Sequence, residues 1–289
     1  MRGIKGWFIS FAFVMFWSSG FIVARLVRPY AEPLSFVSLR FACAAALMAL
    51  IAWAGNAPWP RTSRGWFNNL VAGTLMGGAY IGATFWAVKH GLPPAIAALL
   101  SGLQPLLTAA LATPLLGERV GAQRWAGIVL GFAGALLVLA PNLSGVNTAL
   151  PLGVIFVGLL AMLAITFGTI WQKRTGGVVD LRSGATIQLL GGLIVTVPLA
   201  LALEHGHVPL ILPVVAGLAW AVLALDIAAG LLLLSLIKRG AVAAVTSLFY
   251  LSPPVTALMA FGLFGESLAP IQFAGMALAA IGVAIASRG

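Results

Sequence analysis

The sequence predicts an all-α polytopic membrane protein: ten transmembrane helices arranged as two inverted five-helix repeats. Three observations carry this expectation, namely the composition, the number and length of the apolar runs, and an internal repeat. Of 289 residues, 61% are hydrophobic and only 8% are charged, against roughly 25% charged in an ordinary soluble domain. A bilayer crossing needs about 20 apolar residues as a helix, and the chain holds ten such runs. They are continuous and do not alternate apolar with polar residues, as the strands of a membrane β-barrel would. In lipid, a continuous apolar segment satisfies its backbone hydrogen bonds internally only as a helix.

The runs fall at 6–24, 34–54, 67–88, 94–115, 125–141, 151–171, 183–203, 211–237, 243–264 and 270–287. The first follows Arg2 and Lys5 and lacks a small-x-small cleavage site, so it reads as a retained span rather than a signal peptide. Arg40 lies inside the second and Asp226 inside the eighth, while Pro105 interrupts the fourth and Pro253–Pro254 the ninth. The fifth contains "GIVLGFAG" and the tenth "GMALAAIG". Small residues three and four apart let helix backbones meet, a main source of association in lipid. These faces therefore predict helix packing, within one chain or between two copies in a homodimer.

The net charge of +10 has a topological explanation. With the N-terminus cytoplasmic, the inside segments hold twelve of the sixteen lysines and arginines, the outside segments hold Arg25, Arg28 and Lys89, and Arg40 falls within a span. That asymmetry predicts cytoplasmic termini and removes any need for a nucleic-acid partner. The single cysteine, Cys43, excludes an intramolecular disulfide and a cysteine-based metal site.

Displacing the chain by 148 positions superposes Pro105 on Pro253, Thr108 on Thr256, Gly117 on Gly265, Glu118 on Glu266, Gly127 on Gly275 and Gly134 on Gly282. Two copies follow, 1–141 and 151–289. Five spans per copy is an odd number, so the second copy enters the membrane from the opposite face. Inverted repeats are a common construction of secondary transporters, in which two halves exchange shapes around a central site. Glu118 and Glu266, at helix ends, read as capping or loop-fixing residues.

These paired segments, "P-x-x-T-A … GE … AG … G" followed by a glycine-spaced helix, resemble the two EamA domains of the drug/metabolite transporter superfamily. The "FWSSGFIVAR" first helix and "SLRFACAAALM" second helix resemble its ten-helix amino-acid exporters, including the aromatic amino-acid exporter branch. The resemblance implies a central cavity lined by the first four helices of each repeat, with the fifth of each at the periphery. It also implies export of a small-molecule cargo from cytoplasm to periplasm across an inner membrane. A neutral or aromatic amino acid is the first expectation, and a drug, nucleoside or other metabolite the second.

Candidate site residues are those a cavity would need. Broken helices at corresponding positions of two halves mark a transporter's site, which selects Pro105, Pro253 and Pro254 with their polar neighbours Gln104, Tyr250 and Ser252. Mid-span polar or amphipathic residues add Trp17, Ser18, Ser19, Tyr80, Thr84 and Gln188; a buried Trp or Tyr needs a partner for its polar tip. Trp7, Trp53, Trp59, Trp66, Trp125 and Trp171 lie near span ends and read as interfacial anchors. Intramembrane charges are functional candidates by default. Three readings stand for them: Asp226 as a proton-coupling carboxylate, Arg40 and Asp226 as a structural ion pair, or Arg40 as the ligand of a substrate carboxylate.

Enzyme chemistry finds no footing in the pattern. His90, His205 and His207 fall in loops, and there is no phosphate loop, no H-E-x-x-H and no paired carboxylate on one helix. No cofactor, catalytic residue or metal site is expected. A lipid-modifying enzyme would need a nucleophile or metal constellation, and the inverted repeat disfavours a channel.

Overall fold

The computed structural model describes residues 4–92, 97, 100–143, 151–175, 179–239, 242–265 and 268–288. Glu266 and the side chain of Trp7 lie outside the described residues. Among the described residues all regular structure is helical; nine helices are long and apolar enough to cross a membrane, and a tenth apolar helix, Leu100–Leu116, is shorter.

The helices are α1 (Ile4–Val27), α2 (Pro33–Ala54), α3 (Ser63–Lys89), α4 (Leu100–Leu116), α5 (Ala122–Leu143), α6 (Leu152–Thr175), α7 (Leu181–Leu203) and α8 (Leu212–Lys238). Next comes α9, in three parts: Val242–Thr246, a 3₁₀ turn at Ser247–Leu251, and Ser252–Phe264; α10 is Pro270–Arg288. Leu152, Leu201 and Leu212 are more than four-fifths exposed, the signature of side chains facing lipid rather than a core.

Irregularities recur in corresponding places. The middles of α3 and α8 are π-helical, at Thr74–Gly82 and Ala221–Ala229. The main bodies of α4 and α9, Gln104–Leu116 and Ser252–Phe264, each have proline in their first turn. Pro105, Pro253 and Pro254 thus start new helices instead of kinking helix interiors. At that position a missing N–H leaves no bond unmade. Both helices end on a left-handed glycine, Gly117 (φ 70°) and Gly265 (φ 66°).

Two helices of the first half pack along their own counterparts at the repeat offset. α5 packs along α10, and α2 along α7. The pairs are antiparallel: Gly127 meets Gly282 and Ala286, whereas Gly134 meets Gly275 and Ala279. A Cβ built on Gly134 would lie 2.3 Å from the Ala279 nitrogen, and one on Gly282 2.3 Å from the Gly131 nitrogen. Only glycine permits that approach. The small-residue faces of α5 and α10 are therefore consumed within one chain, so of the two expectations for them the internal one describes this structure.

Two carboxylates tie the loops on the face opposite the termini. Glu32 accepts from the amides of His205 and His207 at 2.9 and 2.8 Å. Glu204 accepts from the Leu34 and Ser35 amides and the Ser35 hydroxyl at the start of α2. On the termini face, Glu118 accepts from the Val242 amide at 2.9 Å. Its loop-fixing contact thus reaches across to α9 in the other half.

Two outcomes are expected. Gly134→Val and Gly282→Val each push α5 from α10, at the ~1–3 kcal/mol typical of overpacking, and lower the unfolding temperature of the detergent-solubilised protein. The amides of His207 and His205 hold the Glu32 carboxyl below its ordinary value of 4.5. Its stabilisation is present above that pH and lost as pH falls through the lowered value. Hydrogen exchange at His205 and His207, corrected for intrinsic rate, should therefore accelerate below pH 4.5.

Candidate functional site: a central cavity and its deep chamber

Because the helix pairs meet closely only where glycine allows, space remains between them. A cavity of about 1000 Å³ lies between α1, α2, α3, α7, α8 and α9. α1 lines it from Trp17 to Arg28, on the side away from the chain termini. Exposed Arg25, Arg28 and Lys89 line it at the helix ends of that face, so the cavity opens there. Toward the termini, Phe13, Trp17 and Phe249 pack ring against ring at 5.1–5.6 Å between centroids, and Phe13 and Tyr250 belong to a buried core against which Phe249 packs.

The ends of α5 and α10 also reach the cavity, through Val138, Leu139, Pro141, Leu268, Ala269 and Gln272. This corrects the expectation of purely peripheral fifth helices. The glycine contacts pull α5 and α10 together, and Gln272 donates to the Val138 carbonyl at 2.9 Å, holding the α5 end beside the start of α10.

Trp17, Arg40, Tyr80, Thr84, Gln188, Asp226 and Pro253 all line the cavity. Met76, Tyr80 and Thr84 are four residues apart and share its wall; the first two lie in the π segment of α3, and π turns frequently occur at functional sites. The Thr84 hydroxyl donates to the Tyr80 carbonyl at 2.7 Å. Gln188 donates to Gln172 at 2.9 Å and to Asn69 at 3.2 Å, so its amide is committed to neighbouring helices.

Ser18 and Ser19 do not line it. One residue is about 100° of helix rotation: with Trp17 and Gly20 toward the cavity, these serines turn into the protein. The Ser19 hydroxyl donates to the Phe16 carbonyl at 2.6 Å and accepts from the Trp220 indole at 2.8 Å. The backbone carbonyl of Ser18 accepts from Thr256 at 3.1 Å. Both serines join helices. Trp220 was absent from the sequence reading because its partner is 201 positions away.

Arg40 and Asp226 meet in a two-pronged pair. Nε and a terminal guanidinium nitrogen donate to the two carboxylate oxygens at 2.7 and 2.6 Å, with both side chains under a tenth exposed. The fork matches the carboxylate plane, so in this conformation Arg40 has its carboxylate already. The pair joins α2 to the π segment of α8, the counterpart of the segment carrying Tyr80.

Gln104, Tyr250 and Ser252 lie elsewhere: with Trp17, Phe21, Tyr80 and Ser101 they line a chamber of about 40 Å³. Trp17, Phe21, Tyr80, Leu139, Ile165 and Pro253 are common to both spaces. Pro105 and Pro254 are buried and line neither space. Among the described residues no cluster of three or more His, Cys, Asp or Glu stands ready for a metal ion.

Removing one member of a buried pair strands the other charge, at about 3–5 kcal/mol. Asp226→Asn and Arg40→Ala should each lower the unfolding temperature in detergent by several degrees. The double replacement Arg40→Met with Asp226→Leu should recover most of that loss, as read by thermal unfolding of the three variants side by side.

The sequence pattern of the EamA-like transporter family matches residues 4–140 and again 152–288. Over 283 residues the chain is 28% identical to the "Uncharacterized inner membrane transporter YedA" of Escherichia coli (strain K12), covering 96% of this chain and 89% of that protein. It is 26% identical over 174 residues to a "Probable amino-acid metabolite efflux pump" of Salmonella typhimurium, 59% of this chain and 54% of that one. A solved structure described only as "Crystal structure of protein" shares the fold, with a TM-score of 0.81 at 20% identity over 98% of this chain and 97% of that chain. A polytopic helical protein with a cavity between two matched halves, and the family pattern in both, belongs to the EamA-like transporter family, whose members are transporters rather than enzymes.

Proposed function

We propose that the protein exports small amphipathic metabolites, neutral and aromatic amino acids first, from cytoplasm to periplasm across an inner membrane. The mechanism is alternating access between two inverted repeats, 1–141 and 151–289. The observation that carries this reading is the cavity. It is large enough for a small metabolite, opens toward the face with Arg25, Arg28 and Lys89, and is bounded between α1 and α9 by the aromatic layer of Phe13, Trp17 and Phe249. The antiparallel α2–α7 and α5–α10 pairs fit two halves related by an axis in the membrane plane. The basic residues concentrated at the other face support cytoplasmic termini. With that orientation this is an outward-open conformation, and the aromatic layer is its closed inner gate.

The amino-acid cargo draws support from the similarity to the Salmonella efflux pump and from the aromatic walls, where a ring or aliphatic side chain would stack. A cavity of about 1000 Å³ also exceeds the needs of a single amino acid. That volume favours, as second reading, a broader exporter of drugs, nucleosides or other metabolites.

The test is flux of radiolabelled phenylalanine, tryptophan, leucine and threonine in proteoliposomes, with and without an imposed pH gradient and with nucleoside competitors. Saturable flux of the aromatic substrates is the expected result. Flux of none of the four, with competitor-sensitive transport of a nucleoside, would move the protein to the second reading. Trp17→Ala and Tyr80→Ala should each reduce flux about tenfold or more while membrane insertion stays intact; two fully active variants would remove the aromatic wall from the site.

A further inference from the structure

Two residues of the deep chamber carry unanswered donors. Gln104 and Tyr250 are 2% and 1% exposed, both line the chamber, and neither Gln104 Nε2 nor the Tyr250 hydroxyl has a hydrogen-bond partner. Buried polar atoms are ordinarily paired, and an unpaired one calls for an explanation. An amide nitrogen can only donate, and a phenol donates readily, so the missing partner is an acceptor.

Two further features point to an acceptor carrying negative charge. The helices Gln104–Leu116 and Ser252–Phe264, each 13 residues long, both begin at this chamber and present their first residues to it. Helix N-termini carry partial positive charge, and in transporters the starts of half-helices face anionic groups of the substrate. No residue lining the chamber carries a charge of its own, so nothing there already satisfies that field. Gly131 keeps the tyrosine in place, since a Cβ there would lie 2.7 Å from the Tyr250 ring.

We propose that this chamber is the head-group subsite of the transport path. It binds the carboxylate of a small amphipathic carboxylic acid, such as an α-amino acid, through Gln104 Nε2 and the Tyr250 hydroxyl. The apolar body of the cargo lies against Trp17 and Phe21, which face both the chamber and the main cavity. A volume of about 40 Å³ admits one group the size of a water molecule or a carboxylate, so the chamber selects the head and the cavity accommodates the body. This inference rests on the transporter reading and narrows its cargo.

The experiment is competition against radiolabelled phenylalanine flux in proteoliposomes by phenylalanine and by phenethylamine, which has the same body and no carboxylate. Wild type is expected to prefer phenylalanine by about tenfold or more, the scale of a hydrogen bond to a charged acceptor. Tyr250→Phe, which keeps the ring, should lose most of that preference. Gln104→Glu, which sets a carboxylate against a carboxylate, should invert it and decides the matter alone if Tyr250→Phe does not fold. Wild-type flux with equal competition, or both variants with wild-type preference, overturns the subsite and leaves the transporter reading standing; the chamber then holds a structural water. Absence of any amino-acid flux in wild type overturns the cargo reading and the subsite together.

Discussion

Contact between helix backbones at glycine is the constraint on which the rest of this protein depends. In lipid there is no hydrophobic drive to press one apolar helix onto another, so association rests on close packing. Gly127, Gly134, Gly275 and Gly282 bring α5 and α10 to backbone distance, and Gly73 does the same for α3 against the Gln188 backbone of α7. These contacts tie each helix to one in the other half. Helices held so tightly at their seams cannot also fill the centre, and the cavity is the space that remains.

The centre is where the chain departs from regular geometry. π segments carry Tyr80 and Asp226, and helix breaks precede Gln104 and Ser252. Irregular backbone at membrane depth is tolerated only inside the protein or beside a cavity, and all four lie there. The Arg40–Asp226 pair serves the same region: two charges that would each be costly in lipid cancel at a wall of the cavity and bind α2 to α8. A cavity in the middle of an apolar slab needs polar groups in its wall, and local irregularity beside that space is how the chain hosts them.

The candidate site was legible where chemistry alone identifies a residue. Arg40, Asp226, Tyr80 and Trp17 are conspicuous because an apolar span rarely carries them, and the structure brings all four to one cavity. Ser18 and Ser19 misled because helix rotation turned both away from the space that Trp17 faces, and the Ser19 hydroxyl bonds the Phe16 carbonyl and the Trp220 indole instead. Glu118 was legible as a loop-fixing residue, but not its partner at Val242, which lies 124 positions away. The division into a main cavity and a small donor-lined chamber had no signature in spacing, since Gln104 and Tyr250 come from different halves.

The residues alone specify the helical fold, its membrane-spanning runs and the repeat, because lipid allows an apolar run only one self-satisfied backbone conformation and duplicated punctuation survives in the residues themselves. Tertiary structure decided which polar groups meet. The Arg40–Asp226 fork, the commitment of Gln188 to Gln172 and Asn69, and the unpaired donors of Gln104 and Tyr250 each depend on the rotation and depth of packed helices. Those are properties of the contact between two helices, and no single run of residues encodes them.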